Sequence, residues 1–306
     1  MKFCGIISSA AKNMDIKSPK DLISTKEAIK AGFIQQAVMK GTVASGYIER
    51  AKRFQIGLRK ARSVGKILED IPSFRSEVIA AAGFSVKAAG HLTNDEIEQG
   101  IRKALKVFAA DEGFREKILH LFLLTMGDAM GGVMRNLVGS LGGQLLVRSV
   151  VKELRRRRVS YKIYKNKKDK ITGVEWKNRY LFIDVTPKII GKNIDAILLD
   201  THGCDTIDKQ LLEDAKRYIA CGELKAGIDP AGADEHWKTA NSALERIRSR
   251  LATHKKNAKL FFVGAAIEAA MAQEIFDQLK SGKLTNAANL MSEIQLQKLA
   301  AWLVGL

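Results

Sequence analysis

Apolar residues recur every three or four positions through much of the first 130 residues, which predicts amphipathic helices. The clearest series is Ile97, Ile101, Ala104, Leu105 and Phe108. Thr93 stands three positions before Glu96, the spacing of a capping box, and predicts where this helix begins. Ser24 and Glu27 have the same spacing ahead of a second apolar series, so Ser24 is predicted to cap another helix.

The segment from Leu121 to Val151 is apolar and contains six glycines. These glycines match neither the GxGxxG pattern of dinucleotide-binding loops nor the GxxxxGK[ST] pattern of phosphate-binding loops. We therefore interpret them as positions of close helix packing.

After about residue 190 the pattern changes to strands alternating with helices. Short apolar runs predict strands at Asn193–Asp200, Tyr218–Lys225 and Leu260–Ala265. Helical spacing predicts helices at Lys209–Tyr218, Asp234–Leu251, Glu268–Leu279 and Ser292–Val304. Strands separated by helices indicate an α/β fold. We expect a mainly helical region over residues 1–130 and an α/β domain over residues 131–306.

The charge is strongly positive, since 51 Lys and Arg oppose 33 Asp and Glu and leave a net charge of +18. A surplus of this size favours a polyanionic partner, nucleic acid first and an acidic membrane second. The region from Lys152 to Lys192 is the most basic. A hairpin with a lysine-rich tip is predicted there, and it suits either a DNA-backbone contact or a solvated loop.

Other features indicate a soluble protein of the bacterial cytoplasm that does not associate with a membrane. No segment approaches the roughly 20 apolar residues that span a bilayer. The apolar run from Phe3 to Ile7 is too short for the core of a signal peptide, about 7–15 residues. Cys4, Cys204 and Cys221 lack metal-ligand spacing and are expected to be free thiols.

Three residues on the predicted strands carry the candidate chemistry. Glu223 and Lys225 project from one face because side chains alternate along a strand, and an adjacent strand can bring Asp195 to them. Two carboxylates and the backbone carbonyl of Leu224 form a hard oxygen site suited to Mg²⁺. Lys225 could hold or help deprotonate a water and stabilise a phosphate transition state.

The alternative is an ordinary exposed ion pair between Glu223 and Lys225 on an edge strand. Against it, the two residues follow the apolar run Tyr218–Cys221 and precede a loop rich in glycine and proline. Functional groups collect where strands leave a sheet in this way. The sequence therefore favours a carboxylate–carboxylate–lysine nuclease site over a surface ion pair.

The segment GELKAGIDPAGADEHWKTAN, Gly222 to Asn241, closely resembles the core of the AvaI/BsoBI family of type II restriction endonucleases, within the PD-(D/E)xK superfamily. Further similar strings, in the same order over most of the chain, are IKAGFIQQA, YIERA, GDAMGGVMRN, KNIDAILLD, FVGAAIE and LTNAANL. The resemblance implies a restriction-endonuclease-like mixed sheet flanked by helices, with a helical N-terminal region that helps to enclose DNA. Residues up to about 15 and from Arg155 to Lys170 resemble the family least.

Carried over by position, the resemblance makes Asp195 and Glu223 metal ligands and Lys225 the catalytic lysine. Ile194 replaces the proline that usually precedes the first aspartate. His236 would approach the attacking water as a general base, whereas a lone histidine early in a helix is more often structural. The other histidines have no zinc spacing, and His120, in an apolar run, is expected in the core.

Asp229 and Lys87 would read bases, since Asp accepts from cytosine N4 and Lys donates to guanine O6 or N7. The alternatives are that Asp229 caps the following helix and that Lys87 contacts only phosphate.

The expected activity is Mg²⁺-dependent hydrolysis of double-stranded DNA at a short palindrome by a homodimer, leaving 5′-phosphate ends. Family resemblance suggests the site CYCGRG, cut after the first C, with a companion DNA methyltransferase in the same system. A second hypothesis is a repair nuclease that cuts branched or damaged DNA. A third is a DNA-binding protein whose nuclease site is vestigial, although a dead site has no reason to keep all four candidate residues.

Overall fold

A computed structural model describes residues 16–204 and 206–306. The chain forms two compact units, one of residues 35–137 and one of the described residues up to 34 together with residues 138–306. The unit boundaries fall within two long helices. The boundary predicted at residue 130, and the DNA-enclosing role of the first region, stay predictions.

Nine helices are present in the described part of the chain. They are α1 (Lys26–Leu58), α2 (Ile67–Asp70), α3 (Arg75–Ala81), α4 (Val86–Ala89), α5 (Asn94–Leu105), α6 (Phe114–Arg156), α7 (Ala233–Thr253), α8 (Ala269–Ser281) and α9 (Glu293–Gly305). The capping box predicted for α5 is confirmed: Thr93 accepts from the N–H of Glu96, whose carboxylate accepts from the N–H of Thr93. The first region is therefore helical, as its periodicity predicted.

The larger unit contains one seven-stranded mixed sheet. Its strands are β1 (Lys162–Lys165), β2 (Ile171–Trp176), β3 (Arg179–Val185), β4 (Ile194–Asp200), β5 (Tyr218–Lys225), β6 (Lys259–Gly264) and β7 (Asn286–Asn289). They lie side by side in chain order, antiparallel from β1 to β5 and parallel from β5 to β7. The α/β fold predicted from the sequence is thereby confirmed.

Both faces of this sheet are covered. One face packs against α7 and α8 through residues such as Trp237, Leu244 and Ile275. The other packs against the C-terminal half of α6 and against α9, with Leu154 and Leu303 fully buried. Burial on both faces explains why β4 and β6 read as continuous apolar runs.

The smaller unit, residues 35–137, has its own core. Phe54 and Phe122 are fully buried there, with ring centroids 5.0 Å apart. Arg50 donates to the mostly buried Glu77 at 2.6 Å, so that this acid is paired rather than isolated. His120, predicted as a core residue, is instead exposed. That prediction was wrong because successive side chains turn around the helix axis, so a continuous apolar run does not show which face is buried.

Ser24 does not cap α1, contrary to its predicted role. Thr25 takes that position and accepts from the N–H of Ala28 at 3.1 Å. Ser24 is buried; its hydroxyl donates to the carbonyl of Ala265 at 2.7 Å and accepts from the N–H of Ile267 at 2.9 Å. Long-range hydrogen bonding at the exit of β6 thus outweighs the local capping pattern.

Two element assignments differ from the sequence-based predictions. The helix predicted at Lys209–Tyr218 is a pair of 3-10 turns, Lys209–Glu213 and Ala215–Arg217, because Asp208 and Asp214 each cap a new short turn. The strand β7 was not predicted, since Asn286–Asn289 contains no β-branched residue. Burial of all four of its residues beside β6 decides its conformation.

Helix α6 is long and apolar enough to cross a membrane by length and composition, with a mean hydropathy of 1.2 over its most apolar window. Only 22% of that window is buried. One such helix is weak evidence for a span, because core helices of soluble proteins pass the same test. Its C-terminal half carries Leu146, Val150 and Leu154 into the core of the larger unit.

Candidate active site

Asp195, Glu223 and Lys225 come together at one end of the central sheet. Pairing of Ala196 with Gly222 sets Asp195 and Glu223 next to each other on adjacent strands β4 and β5. The Lys225 ammonium lies 3.2 Å from Glu223 Oε2 and 3.9 Å from Asp195 Oδ2. All three side chains lie on the sheet face that α7 covers. Asp195 is two positions from the buried Ile197, and Glu223 is two positions from both Lys225 and the buried Cys221, so each set shares one face.

Asp195 also fixes the geometry of β5. Its Oδ2 accepts from the N–H of Leu224 at 2.7 Å. The N–H and C=O of one strand residue point to the same neighbour, so the Leu224 carbonyl is directed to the Asp195 side. This is where the sequence predicted a third metal-binding oxygen.

Gly222 allows β5 to lie against a large aromatic ring. A Cβ at this position would come within 2.2 Å of the Phe261 ring, which is fully buried. The Phe261 ring therefore lies over Gly222 at a distance that a side chain at this position would not permit. The close packing supports the main chain immediately before Glu223.

Glu223 is a buried acid with an unsatisfied oxygen. Its side chain is 5% exposed, and its buried Oε1 has no hydrogen-bond partner among the residues that the structure describes. Burial, and then the charge of Asp195, raise the pKa of Glu223 to about 7. Burial also raises the pKa of Asp195, against the lowering effect of the Leu224 N–H and of Lys225. Two adjacent carboxylates that resist ionisation together are a site that a cation would stabilise.

The residues present fit a hard divalent cation in part. Within residues 16–204 and 206–306, no group of three or more His, Cys, Asp or Glu side chains is arranged to hold a metal. Asp195 and Glu223 supply two carboxylates, and the orphaned Oε1 of Glu223 is a free ligand atom. Mg²⁺ commonly binds through one or two carboxylates and completes its shell with water and substrate phosphate.

Two charged neighbours of this site had no signal in the sequence. Arg246 on α7 lowers the pKa of Glu223 by its charge, and its buried Nε has no partner in the described chain. Asp184, at the end of β3, raises the pKa of Asp195. Asp184 has a φ of 57°, a left-handed conformation that costs roughly 1–2 kcal/mol for a residue with a Cβ. Only sheet register and helix packing bring these residues to the site.

His236 lies in the first turn of α7, close to the loop that follows β5. A Cβ on Gly227 would come within 2.9 Å of the His236 Nε2, and one on Gly232 within 3.4 Å. The ring is partly exposed, and no hydrogen bond joins it to the other three candidates in the described structure. The absence of side chains at Gly227, two residues after Lys225, and at Gly232 thus leaves room for the His236 imidazole.

The two predicted base-reading residues are both exposed. Asp229 Oδ1 accepts from the N–H of Ala231 at 3.0 Å and caps the 3-10 turn Pro230–Gly232 that leads into α7. Lys87 is on the short helix α4 of the smaller unit. Asp229 therefore caps this short turn rather than the helix α7 itself, whose N-cap is Gly232. Its side chain remains accessible.

Comparison with known proteins places the chain in a family. The family model described as Restriction endonuclease BsobI matches residues 12–306. A type II restriction enzyme AvaI from Nostoc sp. is 39% identical over 311 residues, covering 95% of this chain and 98% of that protein. A type II restriction enzyme BsoBI from Geobacillus stearothermophilus is 36% identical over 316 residues, covering 95% and 97%. The chain therefore belongs to the BsoBI family of restriction endonucleases.

Proposed function

We propose that this type II restriction endonuclease hydrolyses double-stranded DNA at a Mg²⁺ site held by Asp195, Glu223 and the Leu224 carbonyl. The observation that supports the site best is the buried Oε1 of Glu223 beside Asp195, which has no hydrogen-bond partner within the described part of the chain. A lysine ammonium 3.2 Å and 3.9 Å from the two carboxylates completes the arrangement. An ordinary surface ion pair would not require a buried acid.

Each residue has a distinct role in this proposal. Asp195 and Glu223 hold the cation, which would polarise the scissile phosphate and offset the charge of the transition state. Lys225 positions the attacking water and donates to the phosphate oxygen on which negative charge develops. His236 accepts a proton from that water as general base. Hydrolysis leaves a 5′-phosphate and a 3′-hydroxyl.

We further propose that the recognition site is CYCGRG, cut after the first C, as the resemblance of the Gly222–Asn241 segment suggests. Asp229 would accept a hydrogen bond from cytosine N4 with the oxygen that does not cap the Pro230–Gly232 turn. Lys87 would donate to guanine. A wrong base pair at such a contact costs about 1–3 kcal/mol.

A homodimer is the assembly that suits a palindromic site, because a two-fold axis presents the same reader to each half-site. Exposed apolar residues along α1 support an interface, since several large side chains there face solvent in the single chain. They are Phe33, Ile34, Val38, Ile48 and Ile56. A companion DNA methyltransferase would protect the host's own sites.

The test is digestion of a sequenced phage DNA with purified protein, in Mg²⁺ and in EDTA, followed by mapping of the ends. We expect discrete fragments in Mg²⁺ that share one end sequence. Lys225→Ala should lower the cleavage rate at least about a hundredfold and leave specific binding nearly intact. Lys255→Ala is the matched control, because Lys255 is exposed and lies before β6 at the opposite end of the sheet.

The outcomes separate the alternatives. Cleavage by Lys225→Ala at the wild-type rate would remove this residue from the mechanism. Cutting confined to branched or damaged DNA would favour a repair nuclease. Selective binding without cleavage under any divalent cation would favour a protein with a vestigial site.

A further inference from the structure

The lysine-rich turn between β1 and β2 lies at the same end of the sheet as the candidate active site. Strand β3 runs toward that end, and β4, whose second residue is Asp195, begins there. Strand β2 starts there as well, because Gly173 pairs with Phe182 and its first residue, Ile171, extends toward the end of β3. The turn that precedes Ile171 is therefore beside the site, two strands from β4.

This turn is a defined structure. The Asn166 side chain accepts from the N–H of Lys168 at 2.9 Å and from that of Lys170 at 3.1 Å. The Asn166 N–H donates to the Lys170 carbonyl at 2.9 Å, and Asp169 takes a φ of 60° to close the loop. The lysines of the turn thus project from an ordered backbone.

An ion pair ties the turn to the strand next to Asp195. The Lys170 ammonium lies 2.6 Å from Asp184 Oδ2, and the Asn193 amide donates to Asp184 Oδ1 at 2.9 Å. Asp184 stands opposite Asp195 in the β3–β4 pairing, between the pairs Ile183–Ala196 and Val185–Ile194. The position of the turn is therefore fixed relative to the site.

Several exposed lysines at this end have no ion-pair partner in the described chain, among them Lys188 in the β3–β4 loop. We call Lys167, Lys168 and Lys192 the basic rim. Two nearby acids do not offset them, because Asp169 pairs with Lys165 and Asp184 with Lys170. The rim is consequently a patch of uncompensated positive charge beside the carboxylates that would hold the metal.

We propose that the basic rim binds the DNA backbone on one side of the scissile phosphate and sets how the duplex lies on the site. Two strand spacings separate the turn from β4, roughly 10 Å, which is short beside a bound duplex. The proposal rests on the proposed function, and the contacts supply affinity and position rather than base choice.

The test compares exposed lysines at the two ends of the sheet. Lys167→Gln with Lys168→Gln removes two rim charges, and Lys192→Gln removes the third. Lys177→Gln with Lys255→Gln is the matched control, because Lys177 lies in the β2–β3 turn and Lys255 before β6, both at the far end and both exposed. Binding is measured in EDTA between 50 and 200 mM salt, on a duplex with the mapped cleavage site and on an unrelated duplex.

We expect the slope of log affinity against log salt to fall by about 1.8 for the rim double variant and by about 0.9 for Lys192→Gln. The control should keep the wild-type slope. The same loss should appear on both duplexes, and the mapped cut position should not change. Equal slopes for the rim variants and the control would overturn the proposal, as would a loss confined to the duplex with the cleavage site.

These results are independent of the catalytic proposal. The unrelated duplex reports backbone binding even if the wild-type protein cuts at no fixed sequence, which would count against the proposed function alone. Conversely, site-specific cleavage with an unchanged salt slope in the rim variants would overturn the rim and leave the proposed function intact.

Discussion

Replacing Glu223 with Gln should stabilise the metal-free protein at alkaline pH while removing its activity. The pKa of Glu223 is raised from 4.5 to about 7, first by burial and then by Asp195. One pKa unit corresponds to about 1.4 kcal/mol, so ionisation of this buried acid in the folded protein costs about 3 kcal/mol. Gln keeps the shape of the neutral acid and carries no charge.

The direction in which pH changes the free energy of unfolding follows from proton binding. Between pH 4.5 and about 7 the folded protein holds a proton on Glu223 that the unfolded chain has released. The free energy of unfolding contributed by this group therefore falls as pH rises through that window. Titrating groups that do not interact with Glu223 cancel in the difference, and the repulsion between Glu223 and Asp195 is already part of the raised pKa of Glu223. The Gln variant should match wild type near pH 4 and exceed it by up to about 3 kcal/mol above pH 7.

The assay is urea unfolding of both proteins from pH 4 to 9, in EDTA and in Mg²⁺. Added Mg²⁺ should stabilise the wild-type protein and narrow the gap at alkaline pH, because the cation offsets the two carboxylates. If the difference in free energy of unfolding between the two proteins does not change with pH, the argument from burial is refuted. If Mg²⁺ leaves that difference unchanged at alkaline pH, metal binding by Glu223 is refuted.

Three further changes test the packing around the site. Gly222→Ala should cost about 1–3 kcal/mol and lower cleavage, because its Cβ meets the buried Phe261 ring. Ser24→Ala should cost about 1–3 kcal/mol, since it leaves the buried N–H of Ile267 without its acceptor. Leu154→Ala should cost about 2–5 kcal/mol, because Leu154 is fully buried between α6 and the sheet. Urea unfolding measures each free energy, and cleavage of mapped DNA measures activity.

Each of these predictions has its own contrary result. A Gly222→Ala protein as stable and active as wild type would mean that β5 and Phe261 separate at no cost. Full stability of Ser24→Ala would mean that water or another group replaces the hydroxyl. A loss below about 1 kcal/mol for Leu154→Ala would mean that the surrounding core closes around the lost side chain.

The sequence by itself determined most of the local elements and the family of the chain, and it predicted the candidate site. Periodicity and a capping box predicted α5, periodicity predicted α7, and short apolar runs predicted β4, β5 and β6, because these signals act between residues close in the chain. Strand alternation alone puts Glu223 and Lys225 on one face. The residue string from Gly222 to Asn241 identified the family before any geometry was available.

Tertiary structure decided what depends on contacts between distant segments. The β4–β5 register sets Asp195 beside Glu223, and burial then raises the pKa of that acid, neither of which a local pattern encodes. Ser24 bonds to the exit of β6 instead of capping a helix. Asp184 has a left-handed conformation, and its carboxylate accepts hydrogen bonds from Lys170 and Asn193, which are distant in the chain or across a loop. Register and burial arise from packing across the sheet, so only the folded chain determines them.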